Sequence, residues 1–177
     1  MAITRSLFRT LSQQVLSPAK IVTDMNNSIS DNNESNMFVT LIVGILDLET
    51  GKLKLCNAGH NPPILIRPDG QVSFLEFKTQ IFVGVIEEFA YTEDETTLEK
   101  GSKLFLYTDG VTEAENTEKE LYGDEKLLKT LSDNNTSDVR TTVNGIEDSV
   151  ADHVKEAEAS DDLTILLIQY EPGTTNN

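Results

Sequence analysis

The chain has 177 residues, enough for one compact domain with a true core, and 38% of them are hydrophobic. Its 14 basic and 30 acidic residues give a formal charge of −16, which repels nucleic acid and anionic membrane and favours cations or basic partners. The longest apolar stretches are strand-sized, short of the roughly 20 residues a membrane helix needs. With no basic, apolar leader at the start, a cytoplasmic protein is expected. The single cysteine, Cys56, excludes an intrachain disulfide and a thiolate metal site.

Ile3, Leu7, Leu11 and Val15 recur at helical spacing. Ser17-Pro18 then reads as an N-cap with proline in the first helical turn, and Ile21, Val22, Met25 and Ile29 continue a second amphipathic helix. Helices are thus expected within 2–30. Ser30 to Asn36 is a polar loop, and a calcium-loop reading fails because Asn36 and Ile42 stand where Gly and Glu belong.

Between 37 and 109 the pattern is mostly β. Phe38 to Leu48 and Lys52 to Asn57 form a hairpin around Glu49-Thr50-Gly51, with Cys56 as a strand residue. Ile64 to Arg67 and Val72 to Phe77 form a second around Pro68-Asp69-Gly70, and Tyr91 to Glu99 and Lys103 to Thr108 are two further strands. Helical spacing returns within 124–156, in Leu127, Leu128 and Leu131 and then from Val139 to Val154, before a last strand at 162–170. This order predicts a single α+β domain with helices packed on antiparallel sheet.

Two acidic groups abut apolar runs: Asp109-Gly110 follows Leu104 to Thr108, and Asp161-Asp162 precedes Leu163 to Ile168. If these runs are antiparallel neighbours, Asp109 and Asp161 meet at one end of the sheet. At about 4 Å and an effective dielectric of about 20, two such charges repel by roughly 4 kcal/mol, which a hard divalent cation would relieve. Taken singly, Asp109 reads as a turn aspartate beside a glycine with backbone freedom, and Asp161-Asp162 as a charged strand entrance where Thr164 can hydrogen-bond. Asn57-Ala58-Gly59-His60-Asn61-Pro62-Pro63 is a rigid turn whose His60 can contact substrate or fix the turn. His153 reads as a surface residue. No phosphate-cradling glycine loop, nucleophile elbow or Cys/His pair is present.

Phe38-Val39-Thr40, the Asn57 to Pro63 run, Leu106-Tyr107-Thr108-Asp109-Gly110-Val111-Thr112-Glu113-Ala114 and Asp161-Asp162-Leu163-Thr164 occur in this order. Together they closely resemble the stage II sporulation protein E-like branch of the metal-dependent (PPM) serine/threonine phosphatases, over nearly the whole chain. The resemblance implies an antiparallel β-sandwich flanked by helices, with two Mn²⁺ or Mg²⁺ ions at one edge. It makes Asp109 and Asp161 metal ligands, with Gly110 and Asp162 beside them, and the nucleophile a metal-activated water. It further implies phosphoserine or phosphothreonine on an anti-sigma-factor antagonist as substrate, and an upstream sensor or receiver domain.

The family also carries two Gly-Asp motifs upstream of the first helix, and none stands before Met1 here. The chain therefore resembles the C-terminal part of the domain, without its N-terminal strands. By itself it is expected to bind metal weakly or not at all, to have low activity, and to self-associate through uncovered sheet edge and apolar surface. Two other readings stay open: a catalytically inactive domain of the same fold that grips a regulatory partner, and a generic acidic α+β domain.

Overall fold

The computed structural model describes residues 2–13, 16–31, 33, 37–136, 138–157 and 161–172. In chain order the elements are α1 (Ala2–Leu11), α2 (Pro18–Ser30), β1 (Leu41–Leu46), β2 (Lys52–Ala58), β3 (Ile64–Ile66), β4 (Val72–Phe74), β5 (Thr79–Gln80), β6 (Asp94–Thr97), β7 (Lys103–Tyr107), α3 (Asp109–Thr112), α4 (Asp124–Asp133), α5 (Val139–Val154) and β8 (Ile165–Gln169). They fall into two compact units: Met1–His60 with Glu76–Leu98 and Pro172–Asn177, and Asn61–Leu75 with Glu99–Glu171.

In the first unit the expected hairpin forms, with β1 antiparallel to β2 from Leu41↔Ala58 to Leu46↔Leu53. Asp47 Oδ1 accepts from the backbone N–H groups of Glu49 and Thr50 at 2.9 and 3.0 Å, fixing the turn. β6 adds antiparallel to β2. The two-residue β5, however, pairs parallel to β2 at Asn57↔Thr79, so this sheet is not wholly antiparallel. A strand that short has no periodicity to read.

Ser17 caps α2 as expected, its Oγ accepting from Lys20 N–H. The same hydroxyl donates to Glu93 Oε2 at 2.7 Å, and that carboxylate also accepts from Ala19 N–H at 3.1 Å. A residue more than 70 positions away thus satisfies donors that helices leave orphaned. Ile21, Val22 and Met25 pack with Val43, Cys56, Ala58, Val83 and Tyr91, and Leu7 and Leu11 of α1 lie against this core. The side chain of Ile3 and the whole of Val15 lie outside the described residues. Cys56 is fully buried, and burial pushes its thiol up to about 12, consistent with an inert strand residue.

The second unit holds an antiparallel sheet in the order β4-β3-β7-β8. Ile64, Ile66, Phe105 and Tyr107 pack with Leu127, Leu131, Ile146 and Val150 from α4 and α5. α5 spans the expected residues, with Asp138 as N-cap. β8 differs from a fully buried strand: Ile165 and Leu167 pack inward while Leu166 and Ile168 are 53% and 39% exposed. Among the described residues it is the last strand of its sheet and pairs on one side only, with β7.

His153 is more than a surface residue, since its Nε2 meets Glu120 O and its Nδ1 meets Lys126 Nζ, both at 3.0 Å, with Tyr122 packed edge-on to the ring. No helix among the described residues is long and apolar enough to cross a membrane.

Candidate functional site

The pairing of β7 with β8 brings the two acidic groups together. Its register ends at Tyr107↔Ile165, so the residues after Tyr107 lie beside those before Ile165. Thr108 N–H still donates to Thr164 O at 3.1 Å, extending the ladder one step. The chain then turns into α3 at Asp109, a short helix where the sequence suggested only a turn.

The clasp at this end is built on Thr108. Its hydroxyl donates to the Asp162 carbonyl at 3.1 Å and accepts from Thr164 N–H at 3.1 Å. Thr164, which the sequence marks as able to hydrogen-bond here, takes part through its backbone, and the side chain that makes both bonds is that of Thr108. A hydroxyl that donates once and accepts once satisfies two backbone groups which the frayed strand ends would otherwise leave to water.

Gly110 completes the fit for a reason other than turn geometry. Its φ is not among the positive values in the chain. A Cβ on it would stand 2.5 Å from the Asp162 carbonyl oxygen, so glycine is there because the Asp162 backbone crosses against it.

Asp109, Asp161 and Asp162 are all exposed. Asp109 Oδ1 accepts from Gly110 N–H at 3.1 Å and Asp161 Oδ1 from Asp162 N–H at 2.7 Å, leaving each carboxylate further lone pairs. Among the described residues none of the three enters an ion pair. Nor do three or more Asp, Glu, His or Cys side chains among them cluster as a metal cage. The donors nonetheless suit a hard cation in kind, because Mg²⁺ is commonly held by only one or two carboxylates, with water and phosphate oxygens completing the shell.

The Asn57 to Pro63 run divides between the two units. Asn57 staples its first half: Oδ1 accepts from His60 N–H at 2.8 Å and Nδ2 donates to His60 O at 2.9 Å. Gly59 takes φ 74°, and a Cβ there would collide with the Phe82 ring. His60 Nδ1 stands 3.5 Å from Thr40 Oγ1. The turn is therefore fixed by the Asn57 amide. Asn61, in the second unit, hydrogen-bonds the buried Tyr107 phenol, which burial and the negative charge of Asp124 push up to about 12.

These elements define a fold of the PP2C, or PPM, phosphatase class. The SiaA-PP2C domain of Pseudomonas aeruginosa superposes with a TM-score of 0.83 at 18% identity, over 96% of this chain and 68% of that one. More narrowly, the chain belongs to the stage II sporulation protein E (SpoIIE) family, whose model matches residues 1–171. It is 30% identical over 139 residues to Protein IcfG of Synechocystis sp., covering 78% of this chain and 22% of that protein. To the phosphoserine phosphatase RsbU of Bacillus subtilis it is 24% identical over 170 residues, covering 96% and 50%. The chain thus spans half or less of the length of these curated relatives.

Proposed function

We propose that this chain forms part of a metal-dependent phosphatase that hydrolyses phosphoserine or phosphothreonine on a bacterial signalling protein of the anti-sigma-factor antagonist type. The observation that supports the reading is the clasp from Thr108 and Gly110 to Asp162, which joins the segment carrying Asp109 to the segment carrying Asp161. The similarity to RsbU supports the substrate class. A solved relative from Mycobacterium tuberculosis that joins RsbU and RsbW domains supports the signalling context.

Asp109 and Asp161 are the proposed ligands for Mg²⁺ or Mn²⁺; the SpoIIE phosphatase domain of Bacillus subtilis, which shares this fold, was soaked with manganese. When bound, such an ion supplies Lewis acidity toward water and toward the phosphoryl oxygens. The chain's own contribution is positional. Thr108 ties the two strand ends together, so the backbone that carries the proposed ligands is held in place without the ion. Asp162 adds an acceptor for solvent next to the ligands. His60 takes a structural part in the turn that Asn57 staples.

The test uses the protein at its full native length and a phosphoserine-bearing regulatory protein. Hydrolysis that needs Mn²⁺ or Mg²⁺ and stops on chelation is expected. Hydrolysis indifferent to chelation would overturn the metal role, and tight binding of the phosphoprotein with no hydrolysis would favour the inactive binding domain.

A further inference from the structure

The end of the second sheet remote from Asp109 holds a pocket of about 300 Å³ lined by Arg67, Pro68, Gly101, Lys103, Asn135, Thr136 and Gln169. Register explains the gathering. Lys103 begins β7 and pairs with Ile66 on one side and Gln169 on the other, so Arg67 leaves β3 beside it. Roughly 13 Å of strand separates Lys103 from Tyr107, which puts the pocket well away from the carboxylates.

Lys103 is only 5% exposed. Its ammonium donates to Asn135 Oδ1 at 2.7 Å and to Thr136 O, both neutral oxygens. Burial holds it below the usual lysine range. A buried cation is costly unless opposite charge accompanies it. Yet no acidic side chain is among the described lining residues, in a chain where acids outnumber bases 30 to 14. Arg67 spends one contact, Nη1 to Ser73 Oγ at 3.1 Å, and keeps the rest of its fork. Glu171 accepts from Gln169 Nε2 at 2.9 Å but does not line the pocket, and among the described residues it forms no ion pair with Lys103 or Arg67.

We propose that this pocket is a second binding site, for a small phosphate-type oxyanion, whose charge Lys103 and Arg67 jointly neutralise. A point cation and a planar fork lining one small cavity suit such an anion. Its size is at the lower limit for ligand pockets and fits a single phosphate group with a small substituent.

The probe is inorganic phosphate, titrated into the ¹⁵N-labelled chain while backbone amide shifts are followed. Saturable shifts are expected at Gly101, Ser102, Thr136 and Gln169, retained in Asp109→Asn. In Arg67→Met the affinity should fall at least about tenfold, the loss of one charge-assisted contact. Lys103→Met should do the same, with thermal unfolding checking that it folds; Arg67, being only partly buried, carries the test if it does not. Shifts confined to the amides around Gly110 and Asp162, or an affinity unchanged in Arg67→Met, would overturn the proposal.

Discussion

Gly110 and Asp162 touch backbone to backbone, with the Asp162 carbonyl oxygen 2.5 Å from the point where any side chain at 110 would begin. In a helical turn, Gly→Ala normally gains up to about 1 kcal/mol from propensity. Here the obstacle is a carbonyl that cannot rotate away, and overpacking of this kind costs about 1–3 kcal/mol. Gly110→Ala should therefore lower the denaturation midpoint and disturb the amides of Asp162 and Thr164. A more stable variant would show that the two strand ends are not held as described.

At the other side of the same unit, Asp138 caps α5. The hydroxyl and backbone N–H of Thr141, followed by the N–H of Arg140, hold its carboxyl below the usual range. A folded value below the unfolded one stabilises the protein above the ordinary aspartate range, and the benefit is lost as pH falls through the folded value. Asp138→Ala should thus melt lower than the parent near neutral pH, with the gap narrowing below about pH 4. A gap that stays constant from neutral to acid pH would assign the loss to something other than the carboxylate.

How much of this could be read beforehand follows the range of the interactions. The Ser17-Pro18 start of α2, the span of α5 and both hairpins rest on neighbours in sequence, and they formed as the pattern suggested. That the Asp109 and Asp161 ends of the two runs lie at the same end of the sheet was also legible, because antiparallel pairing of two apolar runs leaves their acidic ends on one side. Glu93 on the N-terminus of α2, the parallel pairing of β5 and the Thr108 hydroxyl on Asp162 were not. Each joins residues 20 or more positions apart through one or two polar contacts or a two-residue ladder, with no repeat to announce it. A threonine directly before Asp-Gly at the end of a buried strand was the available signal for the last. Lys103 looked like an ordinary strand boundary, since only the fold shows that it is buried.

β8 offers a test of association. Its outward Leu166 and Ile168, and an edge that pairs with no strand among the described residues, are features that natural sheets usually protect, often with lysine. The chain is expected to self-associate in light scattering as its concentration rises, and Leu166→Lys to shift it toward monomer without lowering its melting temperature. A parent chain that stays monomeric at high concentration would contradict this.

The most direct measurement compares Mn²⁺-dependent phosphoserine hydrolysis by the protein at full native length with that of its Asp109→Asn variant, each shown to be folded by its thermal transition. Removing a partner one shell outside a metal typically costs 10–100-fold, so loss of a direct ligand should slow turnover at least about a hundredfold at equal Mn²⁺. Hydrolysis by the folded variant at the parent rate would contradict the metal site assigned to Asp109 and Asp161.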